Sequence, residues 1–156
     1  MPIKQLEVFC AVAERLAGEG YQFRVIGPVG DQEYYDALHS LPGAQYVTFE
    51  PGLPQRELVA HYQRATFFLN TSQTHSMDKT VLEAALCGCI PLTANRAFRE
   101  LLSRFNLYFA EQDAGAYAQK IRALSEGETH TLRTDLAAAV ATEHSLRTFP
   151  DRVFLQ

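Results

Sequence analysis

Little in this chain of 156 residues announces chemistry by itself. Cysteine is scarce. Cys10, Cys87 and Cys89 are odd in number and form no Cys-x-x-Cys pair, so they read as buried, reduced thiols of a cytosolic protein. No apolar run approaches the ~18 residues of a membrane span, and the opening MPIKQLEV lacks the apolar core of a signal peptide. There is no excess of basic charge: the net charge is −4, which argues against nucleic acid or an anionic membrane as partner. His39, His61, His130 and His144 are scattered on helical stretches, and no pair has zinc-site spacing. Also missing are a Walker lysine motif, a Gly-x-Ser-x-Gly elbow, an Asp-x-Asp motif, internal repeats, low-complexity segments and linkers. What remains is one domain of ordinary globular composition, 47% apolar and 21% charged, long enough to bury a core without staples.

The apolar residues that are present alternate between two periods. Helical spacing marks 6–20, 31–43, 55–65, 78–88, 96–105, 114–127 and 130–144; short apolar runs mark strands at 21–27, 45–50, 66–70, 89–94 and 107–110. Asp31 is an N-cap candidate, and glycines or Pro-Gly close the first two helices. Helices and strands that alternate about five times imply right-handed crossovers and a parallel sheet. Such a sheet binds ligands at the carboxyl ends of its strands. That edge carries GPVG (27–30), EPGLP (50–54) and NTSQTHSMDK (70–79), so the polar residues of the last loop fall where a ligand belongs.

Three features of that edge stand out. A helix expected to open near Asp78 offers free N–H groups and a positive dipole end, with Lys79 and Thr80 in its first turn; phosphate suits such a terminus, although Asp78 or Ser76 can equally act as a plain cap. Glu83, one turn later, is the lone acid among Val81, Leu82, Ala84, Ala85 and Leu86. It needs a partner, either hydroxyl donors such as those of a ribose or Lys79 at i−4. GPVG follows a strand but lacks the full dinucleotide fingerprint, so it reads either as a turn or as part of a phosphate loop.

In order and spacing these pieces resemble the donor-binding half of GT-B glycosyltransferases, glycosyltransferase family 4. FRVIGPVG (23–30) sits where the family has hIxGxG. YQRATFFLNTS (62–72) follows its Y-x-x-A-x-x-x-h-x-x-S, and HSMDKTVLEAALCGCIP (75–91) its E-x-F-G-x-x-x-x-E-A-x-A-x-G-x-P, with Glu83 and Gly88 in register and Pro91 one residue beyond the pattern's proline. IKQLEVFCAVAERL (3–16) is similar to the family's K-G-h-x-x-h-h-x-A-h-x-x-L helix, with Lys4 on the basic residue. The chain departs from the pattern at His75, which replaces the first glutamate, and at Met77-Asp78, which replace Phe-Gly.

The resemblance implies a Rossmann-like three-layer α/β/α sandwich with a parallel sheet, one half of a GT-B fold, spanning 1–156 as a single nucleotide-sugar-binding domain. It implies a retaining transferase of hexosyltransferase type whose substrate is a nucleoside-diphosphate sugar, with neither metal nor other cofactor: basic residues and a helix dipole stabilise the leaving diphosphate. His75 and Lys4 take the catalytic positions; Gly27, Gly30, Ser76, Met77, Lys79, Thr80 and Glu83 take the donor-binding ones, Glu83 at the ribose. A GT-B enzyme works between two such domains, so an N-terminal acceptor-binding domain is expected as partner, and this piece alone is expected to be inactive. The expected place is the cytoplasm, with any membrane contact made by parts outside these residues. The competing reading is a non-catalytic nucleotide- or sugar-binding domain, favoured by His75. A receiver-like signalling domain fits less well, because it wants acids at the end of the first strand, where Gly27-Pro28 stand.

Overall fold

A computed structural model of the chain describes residues 4–72, 74–124 and 126–144, with backbone alone at 126–128. The elements run α1 (Leu6–Arg15), β1 (Phe23–Ile26), α2 (Gln32–His39), a 3-10 turn (Pro42–Tyr46), β2 (Val47–Glu50), α3 (Gln55–Arg64), β3 (Phe67–Asn70), α4 (Lys79–Leu86), β4 (Ile90–Thr93), a 3-10 turn (Arg96–Phe98), α5 (Arg99–Ser103), α6 (Ala114–Ala123) and α7 (Glu126–Glu143). This is the α/β, Rossmann-like architecture that the alternation predicts.

The helix boundaries follow from local chemistry. The helix expected over 6–20 stops at Arg15, because the chain turns through Gly18 and Gly20 in the left-handed region, φ 79° and 85°. That expected over 31–43 is capped by Asp31, whose side chain accepts from the Tyr34 N–H, and it ends at His39. Leu41, the residue before Pro42, is forced into extended backbone, so a separate 3-10 turn begins there. α4 ends on Gly88, φ 92°: the Gly88 N–H reaches the Ala85 carbonyl and the Cys89 N–H the Ala84 carbonyl, the paired bonds of a Schellman ending. This accounts physically for the glycine of LEAALCGCIPL. The helices expected over 114–127 and 130–144 are α6, which ends at Ala123, and α7, which already begins at Glu126.

The sheet departs from expectation in two ways. β1 pairs in parallel with β2, and β3 with β4, in the register Asn70↔Thr93 at the carboxyl end. No ladder joins β1 to β3 among the described residues, so one expected sheet is two parallel pairs. Packing joins them instead: α1 gives Val12, and its C-cap Leu16, to the larger apolar cluster and Cys10 and Ala13 to the smaller, and Phe23 touches both. The strand expected at 107–110 is only a bridge, Thr93↔Tyr108, with Phe109 N–H donating to the Thr93 carbonyl. β4 is buried at all four residues, as a strand covered on both faces should be, whereas Phe67, Phe68 and Leu69 of β3 are only half buried.

The 3-10 turn lies hard against α1: a Cβ built on Gly43 would stand 2.0 Å from the Cys10 carbonyl oxygen, which is backbone and cannot step aside. Gly43→Ala is therefore expected to cost about 1–3 kcal/mol of stability as an overpacking change. Urea denaturation with an unchanged m-value measures it; a cost near zero means that α1 and the turn part freely.

Candidate functional site

The carboxyl ends of β3 and β4 converge on a run of buried polar residues, Asn70, Thr71, Ser72, Thr93 and Asn95. Polar groups out of water require partners, and these find them in one another. Thr93 Oγ1 donates to Asn70 Oδ1 at 2.9 Å across the β3–β4 register and accepts from the Asn95 N–H at 3.0 Å. Asn95 Nδ2 donates to the Ser76 carbonyl at 3.0 Å, and Thr71 Oγ1 to the Lys4 carbonyl at 2.6 Å. The loop between β3 and α4 is thus tied at Thr71 and Ser76.

Asp78 stands at its end, the N-cap of α4. Its Oδ1 accepts from the Thr80 hydroxyl at 2.7 Å and the Thr80 N–H at 3.2 Å; its Oδ2 accepts from Asn70 Nδ2 and from Lys4 Nζ, each at 3.1 Å. Four donors saturate one carboxylate. Burial pushes the Asp78 carboxyl up, but the Thr80 hydrogen bonds and the Lys4 charge outweigh it and hold it below the usual aspartate value. Asp78 is the residue that replaces the family's glycine, so the position expected to let backbone approach a diphosphate carries an anion of its own.

Glu83 has a different answer from either that the sequence offered. It is half buried, Gln55 Nε2 at the start of α3 donates to its Oε1 at 2.8 Å, and no ion pair to Lys79 forms. Its Oε2 has no donor among the described residues, which leaves acceptor capacity for a ligand hydroxyl. Burial raises the Glu83 carboxyl, the Gln55 hydrogen bond works against that, and Asp78 adds to the rise. The charge of Glu83, after burial, also pushes up the Tyr62 phenol and the Cys87 thiol.

The other expected site residues are placed as follows. His75 is exposed on the loop and has no hydrogen-bonding partner among the described residues. Ser76 is exposed and, among the described residues, is held through its carbonyl alone. Met77 is 46% exposed, a large apolar side chain beside polar neighbours. Lys79 is exposed, while the Thr80 hydroxyl is engaged by Asp78. Lys4 is half exposed and bound to Asp78, so the cation expected to meet a diphosphate already has a counter-ion. In the glycine loop, Gly27 N–H donates to the Glu50 carbonyl; neither Gly27 nor Gly30 has positive φ, and both have open space where a Cβ would stand. Gln5, in the position of the family's glycine after the basic residue, is left-handed with φ 44°, and its Oε1 is buried without a partner. Sequence reasoning passed over Gln55, Asn70, Thr93 and Asn95. A polar residue closing an apolar strand run, as Asn70 and Thr93 do, was the available signal.

The three cysteines are free, Cys10 and Cys89 buried and Cys87 partly so. Among the described residues no His, Cys, Asp and Glu side chains are grouped as metal ligands, and no helix is long and apolar enough to cross a membrane.

A parallel α/β framework whose polar side chains gather at the strand carboxyl ends defines a Rossmann-like domain. Its family follows from comparison: the model described as Glycosyl transferases group 1 matches residues 1–127 of the 156. The chain belongs to that family, a glycosyltransferase domain of GT-B type, and its chemistry is glycosyl transfer. No curated protein matches the chain in sequence.

The Lys4–Asp78 pair fixes an expected pH response. A carboxyl whose folded pKa lies below its unfolded one adds stability above the unfolded value, and that stability is lost as pH falls through the folded value. Asp78→Asn, which keeps a good cap, should lower stability at neutral pH by about 1 kcal/mol for the half-exposed pair. The gap to wild type should close below the usual aspartate pKa. Denaturant midpoints from neutral pH into acid measure this; a gap that stays constant would mean the loss is one of shape, not charge.

Proposed function

We propose that the chain is the donor-binding part of a retaining hexosyltransferase that takes a nucleoside-diphosphate sugar. The observation that carries the reading is Glu83: a carboxylate one turn into α4, steadied by Gln55 through one oxygen and open at the other. A vicinal diol such as that of ribose can donate to such an oxygen. Lys4 and Lys79, with the N-terminus of α4, supply positive charge for the diphosphate as it leaves. Gly27 and Gly30 leave room for a ligand backbone, and Ser76, Met77 and Thr80 line the approach. His75 and Met77 meet the sugar. The acceptor is held by an N-terminal domain outside these residues. The protein acts in the cytoplasm, and no metal is needed because helix dipole and lysines carry the charge.

One observation favours a second reading, a non-catalytic nucleotide- or sugar-binding domain. The first glutamate of the family pattern is His75, exposed and unpartnered here, so the sugar half of the site has lost its usual acid.

Titration with uridine or guanosine diphosphate to millimolar concentration tests the main reading. Amide signals of residues 27–30 and 76–83 are expected to shift, and Glu83→Ala is expected to weaken binding by about 1–3 kcal/mol, the worth of charge-assisted hydrogen bonds. No shift at any nucleotide would leave the donor site without support. Chelator is expected to leave the nucleotide affinity unchanged; a strict demand for magnesium or manganese would refute the metal-free site.

A further inference from the structure

The two oxygens of Asp78 engage four donors that this corner would otherwise offer a ligand phosphate: the Lys4 ammonium, the Asn70 amide, and the hydroxyl and N–H of Thr80 at the opening of α4; exposed Lys79 is not among them. The side chain is 14% exposed and held from both ends of the loop. We infer that the Asp78 carboxylate is a built-in competitor of the donor's diphosphate, a specificity residue that closes the anion corner to any phosphate not delivered by a nucleoside. The inference rests on the donor-binding reading and adds what sets the grip of that site.

Three physical points carry it. First, a phosphate that reached Lys4 beside an ionised Asp78 would meet a like charge at close range, so the two anions exclude each other there. Second, displacement does not require α4 to unwind. The Val81 N–H is held by the Asp78 backbone carbonyl at 3.1 Å, and this bond survives if only the side chain turns away. Third, free phosphate or pyrophosphate gains what Asp78 gives up, an exchange of one anion for another, with exposed Lys79 as the one further cation of this corner that the reading assigns to it. A nucleoside diphosphate also brings ribose hydroxyls to Glu83, whose Oε2 has no donor among the described residues. Those added bonds tip the exchange. The corner is thus selective for phosphate attached to a sugar.

The test is calorimetry on the whole chain with three probes: uridine diphosphate, uridine and inorganic pyrophosphate, with the guanosine pair run alongside. The proteins are wild type, Asp78→Asn and Asp78→Ser; asparagine and serine both cap helices well, and a cooperative melt confirms each fold. Both variants are expected to bind nucleoside diphosphate about tenfold tighter or more and to gain measurable pyrophosphate binding, while nucleoside affinity stays level. Adding Lys4→Gln to Asp78→Asn should erase the gain. If wild type binds the nucleoside diphosphate and neither variant improves on it, the competitor idea falls and the donor site stands. If wild type holds pyrophosphate as tightly as the variants, the competitor idea falls as well. If no protein of the three binds nucleoside or diphosphate, the donor-binding reading falls and takes this inference with it.

Discussion

A buried polar group is costly without a partner, and the carboxyl ends of β3 and β4 are organised by that cost. The β3–β4 register sets Asn70 opposite Thr93, at 5% and 0% exposure. Each then needs a hydrogen bond that the strand ladder does not supply. Asn70 meets the need by accepting from Thr93 and donating to Asp78; Thr93 meets it by also accepting from the Asn95 N–H. Asn95 in turn fixes the loop at Ser76. The position of the α4 N-terminus therefore follows from a chain of satisfied polar groups that starts inside the sheet. A loop held in this way is preorganised, which lowers the ordering cost of any ligand it receives.

The same requirement explains why a charge can sit at Asp78 at all. An ionised carboxylate with two donors missing would be costly in this setting, whereas with four it is stable and its carboxyl titrates low. Glu83 shows the opposite balance. One donor from Gln55 does not offset burial, so its carboxyl titrates high, and its unengaged oxygen is an acceptor waiting for a donor. Two acids, five residues apart on one helix entrance, are thus differentiated by environment: one is internally neutralised and one is open. Groups left short of partners at the carboxyl ends of the strands are candidate ligand contacts, because the free protein has not spent their hydrogen-bonding capacity.

Local chemistry made much of the fold legible. Asp31 and Asp78 cap where their side chains suggest, and the glycines and Pro42 stop helices for backbone reasons that need no tertiary information. Failure came where a segment's state depends on distant neighbours. The run at 107–110 looks like a strand by composition, yet only Tyr108 finds a bridge, because pairing is decided by what lies beside it rather than by its own residues. In the site, the helix terminus and Glu83 were legible from position on α4. The Lys4–Asp78 pair was not, since 74 residues separate its members, and neither was Gln55, 28 residues from Glu83. Lys79 has the helical spacing to pair with Glu83, but an exposed i,i+4 pair is worth only ~0.2–0.5 kcal/mol and is readily outcompeted.

The two departures from the family pattern at this corner have related physical consequences. Gln5 stands where the pattern has glycine and keeps the left-handed backbone that glycine adopts freely, an arrangement that costs a non-glycine residue roughly 1–2 kcal/mol. The backbone on either side is held: the Lys4 carbonyl accepts from the Thr71 hydroxyl and the Leu6 N–H donates to the Tyr34 hydroxyl, while the Lys4 ammonium is bound by Asp78. Asp78, the other replaced glycine, supplies part of that commitment. The chain has thus exchanged two positions of backbone freedom for an ion pair that ties α1 to the entrance of α4. At the entrance of α4 the carboxylate of Asp78 is engaged by four donors, whereas Glu83, one turn along the helix, accepts from Gln55 alone among the described residues.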